Sequence, residues 1–440
     1  MRLPDYQAIL AALEPPTFTR TVHIGERYEG RLSEVSSTLL RAHLPGAALG
    51  ELCEVQGMGM AEVIGVNGND ILLSPYREPL GVSTGMLVQP SGHRAEFGVG
   101  DAVLGRVLDA LGQPIDGLPA PTVTSWRSVD ADPPDPMQRA VISERFPVGV
   151  RAIDGMLTCG LGQRVGIFAP AGCGKSTLLG MLCAGSKADV VVLALVGERG
   201  REVREFLERV LTPEDRARSV VIVATSDRPA LERLKAASTA TAIAEHFRDQ
   251  GANVLLLVDS LTRYARAVRE IGLAAGEPIV AGGYPPSLYA RLPRLLERAG
   301  PAAKGSITAF YTVLMEDKTD PLAEEVRSLL DGHIVLSRKQ AEANHFPAID
   351  VLASVSRVMY QVTPASHRDA AAHLRHLLGL WEEIELLVRV GEYKPGQDAE
   401  ADEAMQRRHQ IEAFLCQPVD TLSDYASTLA ALGEAVGLPC

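Results

Sequence analysis

No Cys-x-x-Cys pair occurs anywhere in the 440 residues. The six cysteines, Cys53, Cys159, Cys173, Cys183, Cys416 and Cys440, are scattered, and none has a histidine partner at zinc-finger spacing. That pattern speaks against a disulfide-stapled scaffold and a structural zinc site, and points to a reduced, cytoplasmic chain. No apolar run reaches membrane-spanning length, so any membrane association is expected to be peripheral. The opening segment MRLPDYQAILAALEPP has one arginine and a short apolar run carrying Asp5 and Gln7, and lacks the form of a secretory signal. Positive charge is in deficit: 43 Lys and Arg stand against 55 Asp and Glu, a net charge of −12. Nucleic acid is therefore not expected as the main ligand, because neutralising a phosphate backbone requires clustered cations.

What is there is an even, globular composition over a length too great for one core, which predicts two or three domains. Met1 to Glu14 reads as an amphipathic helix with Leu3, Tyr6, Ile9, Leu10 and Leu13 on one side, stopped by Pro15 and Pro16. Within residues 1–18 this helix either packs on its own domain or docks a partner. Residues 19–92 hold short β-rich runs separated by Gly, Asn and Pro, with a tight turn at Asn67 and Gly68, and predict a small β-barrel. Residues 93–360 alternate apolar strands with helical stretches. The runs RVGIFA (164–169), VVVLALVGE (190–198), SVVIVATS (219–226), NVLLLVDS (253–260) and SITAFYTVL (306–314) predict strands buried on both faces of a parallel sheet, hence an α/β domain. Residues 361–440 predict an all-helical domain, and no short-period repeat is present.

The stretch RVGIFAPAGCGKSTLLGML places a strand, a Gly-rich turn and an apolar helix in the order a phosphate-binding loop requires. Gly172 and Gly174 let backbone amides curl around phosphate oxygens, Lys175 meets the β and γ charges, and Ser176 offers a hydroxyl to Mg2+ at a helix N-terminus. The whole cradle is Ala171, Gly172, Cys173, Gly174, Lys175, Ser176 and Thr177; Ala169 stands where the strict pattern has glycine. Asp259, ending NVLLLVD, is placed to hold the Mg2+ shell through water. Glu198, ending VVVLALVGE, is placed on the same crevice to polarise an attacking water. From spacing alone Glu198 reads rather as a solvated member of the charged run GERGREVREFLE.

Taken together, GRVLDALGQPIDG (105–117), the phosphate loop, VGERGREV (197–204), LLLVDSLTRYARA (255–267) and PAIDVLASVS (347–356) resemble the catalytic subunits of rotary ATPases. Within that superfamily, VRAIDGMLTCGLGQRVGIF, ATSDRPALERLKAA, GGYPPSLYARLPRLLERAGPAAKGSITAFYTVL and LLDGHIVLSR resemble the ATPase of bacterial type III protein secretion, with the flagellar export ATPase a near relative. The resemblance implies a RecA-like core between a barrel and a helical domain, ATP and Mg2+ as ligands, and a homohexamer. It implies that Lys175 and Ser176 bind phosphate and metal, Glu198 activates water, Arg199 braces the site and Arg263 lies beside the γ-phosphate. Arg357, in SVSR, falls where the family has an arginine finger for the neighbouring subunit. Phe346 takes the position of an adenine-stacking aromatic, with Phe414, Gln417 and Pro418 completing that pocket. The implied partners are a peripheral-stalk-like regulator at the N-terminal helix, a central stalk, chaperone–effector complexes and the export gate, at the cytoplasmic face of the inner membrane.

Two other functions fit the same core. A non-catalytic ring subunit would lack the catalytic carboxylate, whereas here Lys175, Glu198 and Arg357 stand on one chain. A hexameric RNA translocase would need basic residues interleaved with aromatics in the barrel, and VHIGERYEGRLSEVSSTLL does not supply them.

Overall fold

The computed structural model describes residues 29–315, 320–396 and 398–440. The expected N-terminal helix, with the start of the expected barrel segment, lies outside the described residues. Six strands, β1 (Gly30–Val35), β2 (Leu40–His43), β3 (Glu51–Val55), β4 (Gly59–Asn67), β5 (Asp70–Pro75) and β6 (Leu87–Arg94), close into a barrel in the order β1-β2-β5-β4-β3-β6. Successive side chains alternate: in β2, Leu40 and Ala42 are buried and Arg41 and His43 face solvent. The inward set, including Leu32, Leu40, Val55, Val63, Leu73 and Val88, forms a closed apolar interior, which is how a six-strand sheet removes its edges. The β4-β5 hairpin turns one residue later than expected, at Gly68 and Asn69, because Asn67 still pairs with Asp70 as the last residue of β4.

Beyond the barrel, β7 (Glu96–Val99) pairs with β9 (Ser125–Ser128), while β8 (Val107–Leu108) joins the edge of the main sheet. That sheet holds β10 (Arg164–Ala169), β11 (Val190–Val196), β12 (Ser219–Ala224), β13 (Asn253–Asp259), β14 (Gly300–Pro301), β15 (Ser306–Leu314), β16 (Gly332–Leu336) and β17 (Ile349–Ser356). Its order is β17-β16-β10-β15-β13-β11-β12-β8, with β14 paired to β15. The five apolar runs read from the sequence are its inner parallel strands. All seven residues of β11 are buried, because helices cover both faces. β17 is antiparallel to β16 and only half-buried, as an edge strand should be.

Three helices, Ala365–Arg389, Ala399–Leu415 and Tyr425–Val436, form the C-terminal region. Asp398 and Asp424 cap the second and third through their carboxylates. The second ends against the nucleotide-binding domain. The Arg151 guanidinium donates to the carbonyls of Ala413, Phe414 and Cys416, satisfying acceptors that a helix C-terminus leaves orphaned.

Barrel and α/β domain are joined by a buried ionic cluster. Lys235, on the helix Ala230–Asp249, is 1 % exposed. Its ammonium lies 2.9 Å from Glu62 Oε1 on β4 and 2.5 Å from Asp130 Oδ2, while the Tyr76 hydroxyl donates to Glu62 Oε2 at 2.9 Å. Burial and the Glu62 carboxylate push the Tyr76 hydroxyl well above its usual range, so it stays a donor. Removing the cation leaves the buried Glu62 carboxylate without a counter-charge, held only by the Tyr76 hydroxyl. Lys235→Met should lower unfolding free energy by about 3 kcal/mol, and adding Glu62→Gln should restore part of the loss, both read by chemical denaturation.

Candidate active site

Parallel register brings the sequence-distant candidates to one end of the sheet. Ala169 ends β10 opposite Leu314 of β15, and Asp259 ends β13 opposite Leu195 of β11. The segments after β10 and β11 and the last residue of β13 therefore open on one crevice, the usual ligand position of a doubly wound sheet. Residues 170–174 turn from β10 into the helix Lys175–Gly185, whose N-cap is Gly174 at φ 79. Gly174 is in the left-handed region, and a Cβ there would meet the Phe346 ring at 3.3 Å. Glycine is thus required on conformational and steric grounds, and the half-buried Phe346 lies against the phosphate loop. Ala171, Gly172 and Ser176 are exposed at the loop's rim and Thr177 is partly covered. Cys173 is buried, which pushes its thiol up despite the nearby Arg338.

At the centre, the Lys175 ammonium is bound to Asp259 Oδ1 and stands 3.5 Å from Glu198 Oε1. Thr312, fully buried on β15, donates to the same Asp259 oxygen at 2.6 Å. Asp259 Oδ2 has no hydrogen-bond partner among the described residues. Glu198 is not a solvated glutamate of the charged run: its side chain is 13 % exposed. Burial, and then the Asp259 charge, push its carboxyl above the ordinary glutamate range, against the pull of Lys175. Arg263 adds a second cation: its charge also acts on Glu198, and its buried Nε has no partner among the described residues.

The other candidates stand apart from this cluster. Arg199 is largely exposed and pairs with Glu202 at 3.3 Å. Phe414 is buried against Gly155, where its ring would meet an added Cβ at 2.7 Å. Gln417 is buried with its amide fully used: Oε1 accepts from Arg151 N at 2.8 Å and Nε2 donates to Gly149 O and Thr421 O. Its backbone N–H donates to Phe346 O at 2.8 Å, tying this wall to the phosphate loop's aromatic. Pro418 is exposed beside it. Arg357 is exposed, and its side chain makes one long contact, 3.4 Å to Arg327 O, with no ion pair among the described residues. Sequence reasoning missed Thr312; β15 also carries Ser306, Thr308 and Tyr311, so its hydroxyl is not singled out within the strand.

A phosphate-binding turn, a lysine, a buried carboxylate at the end of a neighbouring strand and a second, proton-hungry carboxylate are the parts of a nucleotide triphosphatase. Residues 149–356 match the family model described as "ATP synthase alpha/beta family, nucleotide-binding domain", and residues 363–434 match "T3SS EscN ATPase C-terminal domain". The chain is 54 % identical over 419 residues to the type 3 secretion system ATPase of Xanthomonas euvesicatoria, covering 94 % of this chain and 95 % of the relative. The chain belongs to the type 3 secretion system ATPase family. The flagellum-specific ATP synthase of Bacillus subtilis is 48 % identical over 420 residues, covering 94 % and 96 %. Among solved structures, the assembled ATPase EscN of enteropathogenic E. coli matches with a TM-score of 0.90 at 52 % identity, over 92 % of this chain and 100 % of that one. The same protein in complex with its central stalk EscO matches with a TM-score of 0.87, at the same identity and coverage. The protein is thus an ATPase of type III secretion, and its fold is the barrel, nucleotide-binding domain and helical region of that family.

Gly197, immediately before Glu198, has φ 69, and a Cβ there would stand 2.9 Å from Arg263 Cβ. Gly251 has a similarly left-handed φ of 101, but open space around the missing Cβ. Gly197→Ala should lose about 1–2 kcal/mol of stability and, by displacing Arg263 and Glu198, most of its turnover. Gly251→Ala should lose stability alone. Denaturant unfolding and steady-state ATP hydrolysis separate the two.

Proposed function

We propose that the protein is a homohexameric, Mg2+-dependent ATPase in which each site is completed by Arg357 of the next subunit. The observation that carries this reading is where Arg357 stands. Because β17 is antiparallel to β16, Ser356 pairs with Gly332, beside the beginning of β10 rather than its end. The six residues of β10 put roughly 20 Å between that edge and the phosphate loop. An exposed arginine without an acidic partner among the described residues, that far from its own nucleotide, suits a site on another subunit.

In the proposed reaction the triphosphate enters the loop at residues 171–177, and its β and γ oxygens compete with Asp259 for the Lys175 ammonium. Among the described residues no group of three or more His, Cys, Asp or Glu side chains could hold a metal alone. The donors present are hard oxygens, the Ser176 hydroxyl and the free Asp259 Oδ2, which suits an ion shared with substrate phosphates. Ser176, and Asp259 through water, would hold Mg2+, which when bound neutralises charge on the phosphate oxygens. Glu198, with its raised proton affinity, orients the attacking water and takes its proton. Lys175, Arg263 and the neighbour's Arg357 meet the charge that develops on the transferred group. Phe346 covers the base, supported from behind by the Gln417 backbone.

The energy so released drives chaperone release, unfolding and export of effector proteins. The ring works with a regulator at the N-terminal helix, a central stalk of the kind named for EscN, and the export gate at the inner membrane. No helix of the described residues is long and apolar enough to cross a membrane, so contact there would be through protein partners.

Two measurements test this reading. The acid limb of kcat should lie above the ordinary carboxylate range, since falling pH protonates Glu198 early, and Glu198→Gln should abolish turnover while still binding ATP. Arg357→Ala should bind ATP, assemble, and lose about 10³- to 10⁵-fold in rate. In a ring closed by head-to-tail interfaces, equal mixing of Arg357→Ala with Glu198→Gln gives about one interface in four with both groups intact. Activity should return toward a quarter of wild type. Verified mixed rings as inactive as their parents would overturn the trans role.

A further inference from the structure

A second cleft, of about 440 Å³, lies between the barrel and the nucleotide-binding domain, away from the phosphate loop. It is walled by Arg94 at the end of β6, by Asp130 and Asp132, and by the helices Ala230–Asp249, Leu261–Ala274 and Pro286–Leu296. Four arginines line it: Arg94, Arg291, Arg294 and Arg298. Two are neutralised within the chain. Arg298 forms a buried bidentate pair with Glu245 at 2.9 and 2.8 Å, and Arg294 pairs with Asp132 at 2.6 Å. The remaining acid, Asp130, is paired with Lys235 and also feels the Arg291 charge, without forming an ion pair with it. Arg94 and Arg291 have no ion pair among the described residues, and the carboxylate of Glu51, cross-strand to Arg94, is already used by the N–H groups of Ala48 and Gly92. In a protein of net charge −12, two unpaired guanidiniums on one cleft are a local excess of positive charge.

The hydroxyls point the same way. Tyr264 is 2 % exposed and Ser238 7 % exposed, both line the cleft, and neither side chain has a hydrogen-bond partner among the described residues. Burial keeps the Tyr264 hydroxyl protonated, up to about 12, so it remains a donor. Ser287 adds a third unengaged hydroxyl at the start of its helix. Nearly buried polar groups such as Tyr264 and Ser238 are normally satisfied, and these two, with the half-buried Ser287, border the cleft that Arg94 and Arg291 line. Two planar forks and three hydroxyl donors suit a ligand with several acceptor oxygens on one centre, which is phosphate rather than a single carboxylate. The volume is that of a small-molecule site.

We infer that this cleft binds a soluble phosphate compound of up to mononucleotide size, held by Arg94, Arg291 and the hydroxyls of Ser238, Tyr264 and Ser287. Its place between barrel and catalytic domain, next to the Lys235 cluster, makes such a ligand a clamp on the angle between them. The site is independent of the proposed subunit-to-subunit chemistry.

The test uses the full chain with the phosphate loop disabled by Lys175→Ala, titrated calorimetrically with inorganic pyrophosphate and, separately, with AMP. A single site per chain should remain for at least one probe, and the tighter of the two distinguishes a bare polyphosphate from a nucleotide. Adding Arg291→Gln or Arg94→Gln should weaken that site at least about tenfold. Tyr264→Phe, which removes only a hydroxyl, should weaken it less and covers the case in which an arginine variant fails to fold. Absence of binding to the Lys175→Ala chain, or binding indifferent to Arg291, Arg94 and Tyr264 alike, would overturn the inference.

Discussion

The Lys175 ammonium, bound to Asp259 and close to Glu198, is the contact around which this molecule is arranged. Its three groups come from positions 175, 198 and 259, and only a parallel sheet with β13 beside β11 delivers them to one place. Each residue would be costly elsewhere: two carboxylates and an ammonium in a poorly solvated crevice are tolerable because they compensate one another. Thr312 and Arg263 then complete the cluster from the next strand and helix. The unusual proton affinity of Glu198 follows directly, since burial and a second carboxylate both resist its charge. Chemistry at this site is therefore a property of strand order before it is a property of any one side chain.

How much of this was legible beforehand depended on the kind of signal. β10, β11, β12, β13 and β15 were visible because strands buried on both faces must be apolar throughout, and such runs stand out against polar turns. β8, β16 and β17 were not recognised as strands. β8 has two residues, while β16 and β17 carry His333, Asp350 and Ser354 at an edge where half the side chains meet solvent or satisfy backbone groups. The phosphate loop was legible because its glycines answer a local conformational demand. Glu198 was named through the family resemblance and not by its spacing, since charge density in GERGREVREFLE looks the same whether a glutamate faces water or a crevice. Tertiary burial decides that, and spacing carries no record of it. Thr312, the Lys235 cluster and the cleft beside it were invisible for the same reason.

The placements of Phe414 and Gln417 illustrate a related point. Both were expected to complete the pocket for the base, yet Phe414 packs in the core and the Gln417 side chain is consumed by three backbone partners. What they give the site is a firm backing for Phe346, through one main-chain hydrogen bond. A side chain's reach in sequence and its reach in space are different quantities, and here the second is set by which backbone groups needed partners.

Arg151 opens the short helix Arg151–Met156 that precedes β10, and its guanidinium grips the last turn of the helix Ala399–Leu415. That helix runs 17 residues, roughly 25 Å from its gripped end to the far one, where Glu400 and Glu403 meet His376 and His373 of the helix Ala365–Arg389. The two helices so joined tilt together, and a body held at its root multiplies whatever tilt that root undergoes. A rotation of a few degrees at the root, about an ångström at the edge of the nucleotide site, becomes a displacement of a few ångströms at the far tip. The helical region is in that sense a pointer: it needs no hinge of its own, because its gearing is fixed by where Arg151 holds it.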